Sequence, residues 1–93
     1  MSASSFEWDD IKNVENIKKH GISFEKAQDA FDDPERSIAI DLDHSTKNEN
    51  RYFCFAKVEN NILTVRFTYR NGKIRIFGAG YWRKGKKTYE QKN

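Results

Sequence analysis

The sequence has few of the residues that cross-link a chain or carry it across a membrane. Cys54 is the single cysteine among 93 residues, which excludes an internal disulfide and fits a reducing compartment. The first residues contain neither the positively charged segment nor the apolar stretch of a secretory signal. No apolar run approaches the roughly 20 residues that span a bilayer. We therefore expect a cytoplasmic protein that does not associate with membranes.

Metal ligands are equally scarce. His20 and His44 are the only histidines, and with one cysteine they match no common ligand spacing, although two acids flank His44. Cys54 is expected in the core, because no neighbouring residue would lower the pKa of its thiol. We therefore predict a protein that needs neither a metal ion nor another cofactor.

The chain has the length of one domain, which we place at residues 1–93. A hydrophobic content of 37% supports a single core, whereas a domain of this size has little room for a fully enclosed cavity. A functional site is therefore expected on the surface.

Charge is divided unevenly along the chain. Residues 66–93 contain nine Lys or Arg against one acid, a net charge of +8, whereas residues 1–65 contain eight bases and 13 acids, a net charge of −5. The overall charge of +3 hides this division. A basic segment of this strength favours a polyanionic partner, and nucleic acid is the leading hypothesis.

Two helices are predicted in the first third of the chain. Asp9 and Asp10 can cap the first and Gly21 ends it, while Ser23 caps the second, which ends before Pro34. Each helix has an apolar stripe at helical spacing. The stripes consist of Ile11, Val14 and Ile17 in the first helix and of Phe24, Ala27, Ala30 and Phe31 in the second. We expect both stripes to pack on a sheet.

Strands are predicted in the remainder. Three strand-like runs at 51–58, 62–70 and 73–81 are separated by Asn60-Asn61 and by Asn71-Gly72, of which the second is among the strongest short hairpin signals. A shorter strand at residues 38–40 precedes a polar loop, and a short helix or tail ends the chain. The predicted fold is therefore α+β, with two N-terminal helices packed on a small antiparallel sheet made of a three-stranded meander and one short strand.

Two-residue turns would fix the register of the meander and sort its side chains. The predicted pairs are Arg70 with Lys73, Tyr69 with Ile74, Thr68 with Arg75, Arg66 with Phe77, Val58 with Leu63, and Phe55 with Arg66. One face is then apolar: Tyr52, Cys54, Ala56, Val58, Leu63, Val65, Phe67, Tyr69, Ile74 and Ile76. The opposite face, here called the charged face, holds Arg51, Phe53, Phe55, Lys57, Thr64, Arg66, Thr68, Arg70, Lys73, Arg75 and Phe77.

Cations and rings alternate on the charged face. Such a surface can bind phosphates through guanidinium groups and stack unpaired bases on its aromatic rings, as single-stranded RNA binders do. The alternative is a solvated face that the C-terminal segment partly covers. Tyr81 and Trp82 precede a basic tail that begins with Arg83-Lys84, where nucleic-acid contact and simple anchoring of the tail by Trp82 are equally expected.

His20 is a candidate for proton transfer. It ends the first helix, beside two lysines, where it could serve a neighbouring phosphate as acid or base. Taken alone, an ordinary helix-end histidine is the simpler explanation.

The order of several motifs resembles that of the BrnT toxin family. Its opening is matched by Phe6-Glu7-Trp8-Asp9, Lys12-Asn13, Asn16, Lys19-His20-Gly21-Ile22-Ser23-Phe24-Glu25, Ala27 and Phe31-Asp32-Asp33-Pro34. Its later blocks are matched by His44, Glu49 and Arg51, by Arg70 and Gly72, by Ile74-Arg75-Ile76 and by Tyr89-Glu90. The chain departs from the family pattern at Gly80, where the resemblance implies an arginine.

This resemblance implies a single toxin domain with a RelE-like core. It further implies a ribonuclease of a bacterial type II toxin–antitoxin module, which a BrnA-like antitoxin neutralises and which reaches operator DNA only through that antitoxin. We accordingly predict a metal-independent endoribonuclease that cleaves RNA by 2′-hydroxyl attack. The predicted catalytic residues are His20, Arg70, Arg75 and Tyr81, and the predicted RNA-binding residues are Arg51, Arg66, Lys73, Arg83 and Lys84.

Two other functions fit the same residues. A catalytically silent relative could use the charged face to bind the antitoxin and help repress an operon. An independent domain for duplex DNA is the weaker alternative, because neither predicted N-terminal helix presents a basic recognition surface.

Overall fold

The computed structural model describes residues 5–92, which form five β-strands and three α-helices. In chain order these are β1 (Phe6–Trp8), α1 (Asp10–His20), α2 (Phe24–Ala27), β2 (Ser37–Asp41), β3 (Arg51–Val58), β4 (Asn61–Arg70), β5 (Lys73–Gly80) and α3 (Arg83–Lys92). A 3-10 turn at Gln28–Asp32 continues α2. The strands form one sheet in the order β1-β5-β4-β3-β2. The predicted α+β class is confirmed, and none of these helices is long and apolar enough to cross a membrane.

The first strand was not predicted, and it makes the sheet mixed instead of antiparallel. β1 runs parallel to β5, with Phe6 beside Ile74 and Trp8 beside Ile76. The alternation of ring, charge and ring in Phe6-Glu7-Trp8 suits a strand with one buried face. Phe6 and Trp8 pack against the core, and Glu7 lies beside Arg75 on the charged face.

The meander has the predicted faces, although one of its registers differs. At Asn71-Gly72, both residues have positive φ and the predicted pair of Arg70 with Lys73 is confirmed. The other turn is Glu59-Asn60, so that the predicted pairs of Val58 with Leu63 and of Phe55 with Arg66 are wrong. Their actual partners are Asn61 and Thr64 respectively. A shift of two residues leaves every side chain on its predicted face, because the strand repeat is two.

A bulge interrupts the ladder between β4 and β5. Phe67 pairs with Ile76 but Arg66 pairs with Gly78, so Phe77 is an extra residue and the predicted pair of Arg66 with Phe77 is wrong. Beyond the bulge the faces of β5 are exchanged, and Ala79 enters the core. The charged face at this end of β5 therefore carries only glycines, at positions 78 and 80.

The two N-terminal helices pack differently from each other. The stripe of the second helix covers the apolar face as predicted, with Phe24, Ala27 and Ala30 fully buried. The stripe of α1 does not: Ile11, Val14 and Ile17 are 71%, 52% and 44% exposed. Its capping residues Asp9 and Gly21 are as predicted.

Asn16 explains the orientation of α1. Its amide donates to the Ala79 carbonyl at 2.9 Å and accepts from the Ala79 N–H at 3.2 Å, while it also donates to the Ile22 carbonyl at 2.9 Å. These bonds satisfy the edge of β5 where β1 has ended. The polar side of α1 therefore faces the sheet, and the predicted packing of its apolar stripe is wrong.

The C-terminal helix covers half of the charged face. Gly85 lies so close to β4 that a Cβ there would overlap the Thr64 hydroxyl and approach Phe55 to 3.1 Å. Phe55 and Thr64 are accordingly buried. Tyr89 fastens α3 by donating to the Asp33 carboxylate at 2.7 Å. Glycine disfavours helix formation, yet the missing side chain of Gly85 is what allows α3 to pack on β4.

Candidate active site

The uncovered half of the charged face forms a cleft of about 290 Å³, here called the arginine cleft. Its walls come from α1, β3, β4 and β5: Asp9, Lys12, Arg51, Arg66, Arg70, Arg75, Ile76 and Phe77. Four of the predicted site residues, all arginines, therefore meet in one place. The two hairpins bring these arginines together by placing β3, β4 and β5 side by side.

The sheet register explains why these arginines converge. Thr68 pairs with Arg51 on one side and with Arg75 on the other, so the three residues form a row across the sheet. Arg66 and Arg70 lie two positions to either side of Thr68 on β4, and therefore on the same face. Thr68 is itself 1% exposed and donates to the Asn50 carbonyl at 2.6 Å. The guanidinium groups thus surround a rigid, buried centre.

Glu49 links two of the arginines. Its carboxylate accepts from Arg70 Nη2 at 2.8 Å and from Arg51 Nε at 3.2 Å. The hydrogen bond from Arg70 is the main cause that lowers the pKa of Glu49 below its ordinary value, and the bond from Arg51 adds to it. Glu49 is therefore ionised at neutral pH and holds both guanidinium groups in place.

The other arginines differ in their partners. Arg75 forms an ion pair with Glu7 at 3.3 Å, and the Arg51 guanidinium lies 4.0 Å from the centre of the Phe77 ring. Among the described residues, neither Arg66 nor Lys12 forms an ion pair. Five cations thus face three nearby acids, Glu49, Glu7 and Asp9. The surplus of positive charge favours an anion in the cleft.

A second, smaller cavity of about 160 Å³ adjoins the arginine cleft and is here called the tryptophan pocket. Its lining consists of Lys12, Glu15, Asn16, Lys19, His20, Arg66, Phe77, Gly78 and Trp82. Lys12, Arg66 and Phe77 line both cavities, so that the two form one groove. His20 lies in the pocket with its ring 5.1 Å from the Trp82 ring in an edge-to-face contact.

Trp82 occupies the space above Gly80. A Cβ at Gly80 would lie 2.6 to 3.0 Å from three atoms of the indole ring, closer than a side chain allows. The position at which the resemblance implies an arginine is therefore covered by a tryptophan. Neither Gly80 nor Trp82, considered alone in the sequence, predicted this contact between them.

Four predicted site residues do not line the groove. Tyr81 lines a different cavity, on the side of α3 that carries Lys86 and Tyr89. Lys73 lies at the exposed hairpin, and Arg83 and Lys84 lie on the exposed first turn of α3. The structure thus brings His20 and the four arginines together and leaves the tail outside.

Asp9 and Lys12 line the groove although the sequence assigned them no role in the site, whereas Phe77 belongs to the predicted charged face. Glu49 was likewise given no role from the sequence, despite its match to a family block; it does not line the groove but bonds to Arg51 and Arg70, which do. Asp9 and Lys12 reach the cleft only because α1 lies against the edge of β5, and Glu49 reaches it from a loop. Only the match of Asp9, Lys12 and Glu49 to the family blocks could have pointed to these residues from the sequence.

Two other reactive side chains are accounted for elsewhere in the fold. Cys54 is fully buried, as predicted, and burial raises the pKa of its thiol to about 12, which makes it a poor nucleophile. His44 Nδ1 lies 2.8 Å from the carboxylate of Asp41, a buried residue that also accepts from the His44 N–H. Both contacts stabilise the loop after β2.

One family model matches the chain. Its description is "Ribonuclease toxin, BrnT, of type II toxin-antitoxin system", and the match covers residues 8–85. No curated protein matches. The matched segment includes every residue that lines the arginine cleft and the tryptophan pocket.

Proposed function

The chain belongs to the BrnT family of ribonuclease toxins of type II toxin–antitoxin systems, and we propose that it is a metal-independent endoribonuclease that cleaves RNA in the arginine cleft. The observation that supports this most is the surplus of cations there. Four guanidinium groups and Lys12 surround a cleft in which Arg66 and Lys12 lack acidic partners among the described residues. A phosphodiester supplies the missing negative charge.

The proposed reaction is attack of a ribose 2′-hydroxyl on the adjacent phosphorus. The new O–P bond forms while the bond to the 5′ oxygen of the next nucleotide breaks, so that a 2′,3′-cyclic phosphate and a 5′-hydroxyl result. Negative charge accumulates on the non-bridging oxygens in the transition state. Cations that are already in position stabilise this charge without reorganisation. Arg70 and Arg75 take this role in the proposal, and Arg51 and Arg66 bind the flanking phosphates.

Proton transfer is assigned to His20. A base must take the proton of the 2′-hydroxyl, and an acid must protonate the leaving oxygen. His20 is the one histidine among the groove residues, whereas Tyr81 lines another cavity and has no part in the proposal. Positioning and charge stabilisation supply the larger share of the rate in a site of this kind.

Glu49 serves as a positioning residue in this proposal. Arg51 and Arg70 carry long flexible side chains, and ordering them has an entropic cost. Because Glu49 accepts from both, it orders them before RNA arrives. The groove is thereby prepared for a phosphate at low cost in binding energy.

A type II toxin of this family has an antitoxin partner and an RNA substrate. We propose that the protein acts in the cytoplasm, that a BrnA-like antitoxin neutralises it by covering the arginine cleft with an acidic segment, and that operator DNA is bound only through that antitoxin. Opposite charges on the two surfaces would accelerate their association. The exposed apolar stripe of α1, beside the cleft, offers this partner additional contact area.

A catalytically silent module is the alternative, and Gly80 favours it, since an arginine is implied at that position. Expression in a bacterial host that lacks the antitoxin separates the two functions. A ribonuclease arrests growth, and Arg70→Ala relieves the arrest. A binding module leaves growth unchanged, and that result would contradict the proposed activity.

A further inference from the structure

We propose that the tryptophan pocket is a nucleobase subsite, in which one base of the RNA stacks on the ring of Trp82. This inference rests on the proposed function, and it identifies which part of the substrate the second half of the groove binds.

The Trp82 ring is held in position without a ligand. The backbone carbonyl of Trp82 accepts from the Lys86 N–H at 3.1 Å, which fixes the residue at the start of α3. The indole packs on the backbone of Gly80 and makes an edge-to-face contact with the His20 ring. Trp82 is only partly buried and lines the pocket. A fixed ring that faces an open cavity provides a stacking surface at little entropic cost.

The surroundings of the ring suit a nucleotide. Lys12, Lys19 and Arg66 line the same pocket, and none of the three forms an ion pair within residues 5–92. Arg66 and Lys12 also line the arginine cleft. A nucleotide whose base lies on Trp82 therefore has cations beside its phosphate, at the point where the two cavities join. Such a combination of stacking rings and backbone-binding cations is typical of single-strand binding sites.

Asn16 indicates that stacking, and not hydrogen bonding by this amide, holds the base. Both amide hydrogens of Asn16 are used, since its Nδ2 donates to the carbonyls of Ile22 and Ala79. Its Oδ1 accepts from the Ala79 N–H. The one amide side chain of the pocket is thus engaged by the fold. The subsite is expected to tolerate different bases, because every base has a face that can stack.

The test uses a short single-stranded 2′-O-methyl RNA, which cannot be cleaved because the attacking hydroxyl is blocked. The chain has two tryptophans, Trp8 and Trp82, so binding is followed by tryptophan fluorescence and by an independent mobility shift. We expect the RNA to quench the fluorescence, and Trp82→Phe to bind RNA while losing most of the quenching. Trp82→Ala should weaken binding roughly 5- to 150-fold, the range for one lost stacked base. Lys87→Ala, on the exposed side of α3 and outside the groove, is the control.

A second series removes the base instead of the ring. A single abasic nucleotide is moved along the same oligonucleotide, and at one position it should weaken binding to the wild-type protein as much as Trp82→Ala does. At that position the two changes together should cost no more than either alone. The loss of binding at one abasic position is measured with the wild-type protein alone, so it decides the question even if Trp82→Ala does not fold.

Three results would contradict the proposal. Equal binding of all abasic oligonucleotides to the wild type would overturn the subsite, while RNA cleavage by the same protein would leave the proposed function standing. Undiminished binding by folded Trp82→Ala would do the same. A wild-type protein that neither binds nor cleaves RNA would overturn the proposed function and the subsite with it.

Discussion

Glu49 and Arg70 are 21 positions apart in the sequence, and their side chains meet at 2.8 Å between Glu49 Oε2 and Arg70 Nη2. This ion pair joins the loop before β3 to Arg70 of β4, which lines the arginine cleft. Glu49 also accepts from Arg51, so one carboxylate orders two of the four guanidinium groups. The pair explains how a site rich in arginine keeps a defined geometry before a phosphate binds.

Replacement of Glu49 by Gln tests whether its carboxylate orders Arg51 and Arg70. Glu49→Gln keeps the shape of the side chain but loses charge-assisted bonds worth about 1.5 to 3 kcal/mol each. We expect kcat for RNA cleavage to fall roughly 10-fold or more, whereas RNA affinity stays equal or rises because a negative charge has left the cleft. Steady-state kinetics on a fluorescent RNA measure both. Glu25→Gln, on the exposed surface of α2, is the control, and an unchanged kcat for Glu49→Gln would refute the positioning role.

The same pair makes stability depend on pH in a defined direction. Hydrogen bonding to Arg70 lowers the pKa of Glu49 from its ordinary value of 4.5, so the ion pair contributes its full stability above that value. As pH falls through the lowered pKa of the folded state, this contribution is lost. Urea denaturation should therefore show a difference in unfolding free energy between wild type and Glu49→Gln at pH 7 that shrinks in acid. A difference that stays constant down to pH 2 would show that Glu49 does not titrate in this way.

The docking of α3 depends on the absence of a side chain at position 85. Gly85→Ala would place a methyl group against the Thr64 hydroxyl and Phe55, so we expect a loss of about 1 to 3 kcal/mol in unfolding free energy. Lys87→Ala lies on the exposed side of the same helix and should change stability by less than about 0.5 kcal/mol. Chemical denaturation of the three proteins measures this. Equal stability of Gly85→Ala and Lys87→Ala would mean that α3 does not pack as described.

Local signals in the sequence predicted the meander well. The dipeptide Asn71-Gly72 is sufficient to predict the turn between β4 and β5. Because side chains alternate with a repeat of two residues, the arginines lie on one face even where the register is shifted by two. The four arginines of the cleft could therefore be predicted before the structure was known. His20 was predicted with less support, because its position in the groove depends on how α1 meets β5.

Features that depend on distant contacts were not predictable from local signals. β1 has three residues and gains its stability from pairing with β5, in which Ile74, the partner of Phe6, lies 68 positions later in the sequence. The apolar stripe of α1 indicated the wrong buried side, because the side chain of Asn16 bonds to Ala79 instead. The bulge at Phe77 and the docking of Trp82 on Gly80 likewise arise only in the folded sheet.

Cleavage of RNA by the purified protein tests the central claim most directly. Single-stranded RNA is incubated with antitoxin-free protein in EDTA, and the products are analysed for 2′,3′-cyclic phosphate ends. We expect cleavage by the wild type, a loss of roughly 100-fold or more in Arg70→Ala and Arg75→Ala, and near-normal activity in Lys87→Ala, with all variants folded by circular dichroism. Cleavage that survives both arginine substitutions would contradict the assignment of the arginine cleft, and its absence from the wild type would contradict the proposed ribonuclease.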